Sequence, residues 1–211
     1  LVVCARPSWR VARNAVTIAH EGGHALAALL TGRRLTAIRL HSDTSGLTVS
    51  AGRPTGLGMV ITLLAGYLAP SLLGLGGAWL LTGNRITLLL WIAVALLLAM
   101  LVMVRNAFGI VSLVVTGGLV LWVSWFAGPQ AQAVFAYTGV WFLLFGGVRP
   151  VAELRRMRRR GRLPNSDADQ LARLTGVPGL VWVGLFGAVN LVALGLGAWL
   201  LTVGLRAAVG S

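Results

Sequence analysis

The 211-residue chain has no lysine, one cysteine, three histidines and five acidic residues. Its charged fraction is 11%, where a soluble domain carries about 25%. With 57% hydrophobic residues, that shortage excludes a water-soluble globular protein. A single cysteine, Cys4, excludes an internal disulfide and leaves the redox compartment undetermined. All eighteen basic residues are arginine and the formal charge is +13. The densest run, Arg155 to Arg162, has no aromatic residue between its charges, so it lacks the stacking groups of a single-strand nucleic-acid surface. In a membrane chain, such an excess reports topology and contact with lipid headgroups.

What is present is a series of apolar runs long enough to cross about 30 Å of hydrocarbon. The pattern predicts an all-α polytopic membrane protein with about six transmembrane helices. These run roughly from Arg13 to Leu30, Leu57 to Leu81, Ile86 to Val104, Phe108 to Ala127, Ala131 to Val148 (stopped by Pro150) and Pro178 to Leu205. Two segments break the pattern. Leu35–His41 and Leu47–Ser50 alternate apolar and polar about a Ser42–Gly46 turn, which predicts a short β-hairpin after the first helix, within a hairpin and linker region 33–55. Residues 149–177 read as an arginine-rich cytoplasmic loop before the last helix. Placing that loop inside puts thirteen of the eighteen arginines inside and leaves Arg6, Arg10, Arg13, Arg85 and Arg206 outside, with both termini out. The chain is expected to be one membrane-embedded domain, 1–211. Leu1–Cys4 reads as the tail of an upstream hydrophobic segment, and the leader is too short for a signal peptide.

The chemistry concentrates in His20-Glu21-Gly22-Gly23-His24, inside the first apolar run. Two of the three histidines and one of the five acids fall in these five positions. On a helix the histidines stand at i and i+4, on one face, where both imidazoles can bind one Zn²⁺ while the glutamate serves as base to a water. Ionisable groups within the membrane are costly and default to function. A catalytic zinc takes three protein ligands, and the remaining candidates for the third are His41, Asp43, Glu153, Asp167 and Asp169. Ser42–Gly46 has turn composition, which accounts for Asp43 and His41 as turn residues, with a role in orienting substrate or site kept open. Ser166 reads as an N-cap with Asp167 and Asp169 in the first turn of a helix. Asn106 reads as another helix cap.

Thr17–Ala25, the hairpin Ile38–Gly46 and Gly66-Tyr67-Leu68-Ala69-Pro70 together resemble the site-2-protease class of intramembrane zinc metallopeptidases (metallopeptidase family fifty), most nearly its small bacterial, actinobacterial branch. Ser166–Pro178 is similar to that branch's second signature, and the resemblance covers nearly the whole chain. It implies His20 and His24 as zinc ligands, Glu21 as general base, and Asp167 as third ligand with Asp169 in reserve, for one Zn²⁺ per chain. Better-known members carry the aspartate in an L-D-G motif within a hydrophobic helix, whereas this chain has Ser-Asp-Ala, which reaches the metal if 167–174 folds back as a short helix. The resemblance further implies a transmembrane protein substrate, a hairpin that presents it as an added strand, and residence in the bacterial cytoplasmic membrane with the site toward the cytoplasm. Two rival readings are a catalytically silent scaffold of protease descent and a metal- or proton-binding membrane protein. The latter would need polar residues along a path through the third to fifth helices, which offer almost none.

Overall fold

The computed structural model describes residues 6–160 and 165–209, so the tail Leu1–Cys4 and Arg162 of the arginine run lie outside the described residues. Within them the chain forms α1 (Arg6–Leu30), the strands β1 (Arg34–Leu40) and β2 (Gly46–Ala51), then α2 (Leu57–Thr82), α3 (Ile86–Met103), α4 (Ala107–Phe126), α5 (Pro129–Arg159), α6 (Asp167–Thr175) and α7 (Gly179–Val209). Five helices, α2, α3, α4, α5 and α7, are long and apolar enough to cross a membrane. The sixth long helix, α1, has the length at 25 residues but not the apolarity. Its polar groups turn inward: Thr17, Glu21 and His24 are buried against its neighbours. Large apolar side chains instead point outward, among them Val111, Val115, Trp122, Leu191 and Val192. That distribution is untenable in water and expected in lipid.

Two features differ from the sequence reading. Pro150 does not stop α5, which continues to Arg159. The proline removes one helical hydrogen bond, to the carbonyl of Gly146, but Val151 and Leu154 beyond it are buried against α2, α6 and α7. The arginine run is therefore mostly the end of a helix rather than a loop, and Arg156, Arg158 and Arg159 sit in its last turn, where cations meet the negative end of the helix dipole. Arg13 also departs from its expected place among the outer arginines. It pairs with Glu153 of α5 (3.6 Å), which also takes hydrogen bonds from Arg149 (3.1 Å) and the Trp9 indole (3.0 Å). Arg13 therefore belongs with the charges of the 149–160 segment, not with a free outer end.

The hairpin is wedged between helices. β1 and β2 pair antiparallel with a bulge between Leu35 and Ala37. Ile38 and Leu40, which alternate to one face, are fully buried with Ile18 and Ala25 of α1, Val104, and Leu113 of α4. The far edge of β1 is closed by the α3–α4 turn: Ile38 bridges Val104, and the Arg105 amide donates to the Ile38 carbonyl at 3.0 Å. Asn106, expected as a helix cap, occupies the N-cap position of α4 but makes no cap bond there. Its amide instead pairs with Leu40, accepting from the backbone N–H (3.1 Å) and donating to the carbonyl (2.6 Å), as another strand would. Because Leu40 is buried, Asn106→Ala orphans two backbone groups and should cost about 1–3 kcal/mol, read as a lowered thermal midpoint in detergent.

Candidate metal centre

α1 crosses α2 at short range around the histidines. Pro70 lacks the N–H that would bond the Gly66 carbonyl, and Gly66 itself lies directly over the two imidazoles. A methyl on Gly66 would collide with Nε2 of His24 and stand 2.7 Å from Nε2 of His20. Next to His24 on α1, a methyl on Gly23 would meet Ala69 and, at 2.7 Å, the Ala65 carbonyl. The two helices therefore approach through glycines on both sides.

The imidazole nitrogens His20 Nε2 and His24 Nε2 are 3.1 Å apart. Asp167, the first residue of α6, brings Oδ2 to 3.3 Å from each of them. Three donor atoms thus form a nearly equilateral triangle. Ligand bonds of about 2.0–2.1 Å in a tetrahedron separate donors by about 3.3 Å, so the triangle has the size of one face of a four-coordinate zinc site. The tautomer also fits, because the His24 Nδ1–H donates to the Thr62 carbonyl at 2.7 Å and leaves Nε2 with its lone pair inward. Tyr67 of α2 stands edge-on to His20, with ring centroids 4.8 Å apart, and stacks on Phe186 of α7 at 4.9 Å.

Glu21 is buried and lies with His20 and His24 in a group whose ligand atoms are within 4.8 Å of one another. Its Oε2 is engaged elsewhere, accepting a 2.6 Å hydrogen bond from Thr48 Oγ of β2. Gly46, which opens β2, packs against the same carboxylate so closely that a methyl there would overlap it. Asp167, at 3.3 Å from both histidines, completes the three-donor triangle, and the Glu21 carboxylate lies beside it.

The other sequence candidates sit apart. Asp169 turns to the opposite side of α6, where it caps Ser166 and pairs with Arg158. Desolvation would raise its carboxyl pKa, but the hydrogen bonds from Ser166 and Arg158 outweigh that and hold it below the usual carboxylate value. Glu153 is committed to Arg13, Arg149 and Trp9. His41 is exposed in the hairpin turn. Asp43 closes that turn through hydrogen bonds from the Ser45 hydroxyl and amide, which depress its pKa. A depressed value means the turn keeps this stabilisation above about pH 4 and loses it only as the pH falls through the lower folded pKa. The turn still touches α1, since the Thr17 hydroxyl donates to the Thr44 carbonyl at 2.9 Å.

The contacts that Thr48, Thr62 and Gly66 make at the site were not foreseen from the sequence. The strand's alternation was a usable signal for Thr48, which shares a face with Ser50. Nothing local marks the Thr62 carbonyl, and Gly66 entered only as the first residue of Gly66-Tyr67-Leu68-Ala69-Pro70; its approach to the imidazoles depends on how α1 crosses α2.

The family model described as Peptidase M50B-like matches residues 1–197. The chain belongs to that family. That family is one of site-2-protease-type membrane metallopeptidases, in agreement with the sequence resemblance, and the helical membrane architecture with its hairpin after the first helix is the one the apolar runs and the alternation predicted. Comparison with curated proteins and with solved structures finds no match.

Proposed function

We propose that this M50B-like protein is a zinc-dependent intramembrane protease that hydrolyses peptide bonds within transmembrane segments of other membrane proteins. The observation that carries the reading is the triangle of His20 Nε2, His24 Nε2 and Asp167 Oδ2 with Glu21 beside it. His20, His24 and Asp167 would hold one zinc ion, which when bound supplies Lewis-acid activation of water and of a peptide carbonyl. Glu21 does the proton work. With Oε2 engaged by Thr48, Oε1 takes a proton from water as the water oxygen bonds to the carbonyl carbon. It returns that proton to the amide nitrogen as the C–N bond breaks. Substrate extends along the hairpin: the α3–α4 turn closes β1's outer edge, so β2 is the strand edge left for an added peptide. A helical substrate must unwind first, because its carbonyls are held in helical bonds.

The site is proposed to face the cytoplasm of a bacterial cell. The arginine-bearing hairpin, the Arg105 turn and the segment leading to Asp167 all meet around the same site, which supports one cytoplasmic end for them. Thr48→Val removes the hydroxyl that orients Glu21 and should lower turnover about ten- to a hundredfold, with Thr48→Ser retaining most of it. The test of the function itself is co-reconstitution with a membrane-protein extract, followed by sequencing of new protein termini. Wild type should generate termini within transmembrane segments that Glu21→Gln does not. Termini confined to soluble loops, or equal in both samples, would overturn the proposal.

A further inference from the structure

We propose that Arg158 is a positioning residue for the metal centre, latching the first turn of α6 so that Asp167 faces the histidines. The inference rests on the reading of Asp167 as a ligand. α6 is only nine residues long, too short to hold its own shape in water or at an interface. Apolar contact seats one side of it through Ala168 and Leu171, both fully buried against Leu154 of α5 and Val183 and Phe186 of α7. The end that carries Asp167 is held by polar contacts. Ser166 is the N-cap, and its hydroxyl and amide both donate to Asp169 Oδ2, at 2.6 and 3.1 Å. Arg158 reaches across from the last turn of α5, donating to the Ser166 hydroxyl at 3.3 Å and pairing with Asp169 Oδ1. Asp167 lies in sequence between these two latched residues, so its backbone moves only if the latch opens.

Two further observations single this arginine out of the run. Its neighbours Arg155, Arg156, Arg159 and Arg160 are exposed, whereas Arg158 is half-buried. The guanidinium also packs against the start of α7, where a methyl on Gly179 would stand 2.6 Å from Nη2. One planar fork thus ties the ends of α5, α6 and α7 together. Asp169, the sequence's reserve ligand, has its role here, as the counter-charge that holds the ligand's helix.

The test is zinc affinity of the full-length protein in detergent, by chelator competition, for Arg158→Ala, Arg158→Lys, Asp169→Ala, the double variant Arg158→Ala/Asp169→Ala, Arg155→Ala and Asp167→Asn. Arg158→Ala and Asp169→Ala should each weaken zinc binding about 10- to 100-fold, the usual effect of losing a group that orients a ligand. Lysine keeps the charge but not the fork and should recover part of the loss. The double variant should be no worse than the weaker single, since both act through one latch, and Arg155→Ala should bind as wild type does. Should Asp167→Asn lose zinc while Arg158→Ala and Asp169→Ala bind normally, the latch is wrong and the ligand stands. Equal losses in Arg155→Ala and Arg158→Ala would also overturn it, by tracing the effect to the charge of the run. If Asp167→Asn itself binds zinc as wild type does, the ligand assignment fails and the latch with it.

Discussion

Gly66→Ala is expected to abolish zinc binding, weakening it by at least about a hundredfold, although Gly66 is not a ligand. The added methyl would occupy space already filled by Nε2 of His24 and press on Nε2 of His20. Carbon and nitrogen do not approach within about 3.4 Å without repulsion, so α1 and α2 must separate or both rings must rotate off the metal. Separation is resisted by the opposite glycine contact, Gly23 against Ala65 and Ala69, and by the hydrogen bond from His24 to Thr62. Gly76→Ala on the same helix is the control. Nothing lies within 4 Å of its added methyl, so zinc affinity should be unchanged and helix stability slightly improved, by up to about 1 kcal/mol. Chelator competition on the two variants reads the difference directly. Equal affinities would mean that the glycine is a packing residue and that the triangle is not the metal's seat.

Glu21→Gln has the second large effect, and it falls on one of two readouts and not on the other. Turnover should fall about 10²- to 10⁴-fold, the range for removing a positioned general base. Zinc should remain, because His20, His24 and Asp167 are untouched and the carbonyl oxygen of the substituted amide can still accept the Thr48 hydrogen bond. A ligand substitution behaves otherwise, losing metal and activity together. Measuring both quantities on Glu21→Gln and Asp167→Asn separates base from ligand. Loss of zinc in Glu21→Gln would make Glu21 a ligand, and the chain would then lack an assigned base.

The residues of the candidate site were legible to unequal degrees. His20, Glu21 and His24 stand out because charge is costly in an apolar run and because i and i+4 on a helix already bring two imidazoles together. The hairpin was legible from its alternation, and the spans from their length and apolarity. Pro150 misled because a proline's local cost does not reveal the packing beyond it; Leu154, fully buried among α2, α6 and α7, keeps the helix going. Asn106 misled for a related reason. Its position before a helix looked like a cap, yet the partner that claims its amide is Leu40, sixty-six residues earlier. Asp167 and Asp169 could not be separated locally, since both sit in the first turn of α6 and both satisfy the same helix dipole. What separates them is rotation about the α6 axis, which depends on Arg158 and on the buried Ala168 and Leu171.

The central claim, that His20, His24 and Asp167 hold a single zinc ion, is tested most directly by metal analysis of the detergent-purified chain beside His20→Ala. Wild type should carry about one zinc per chain, and His20→Ala should carry little even after zinc is added back. Wild type without stoichiometric zinc when purified free of chelator and resupplied with the metal, or His20→Ala with full occupancy, would contradict the account. The buried triangle would then have to be a proton-carrying or purely structural cluster.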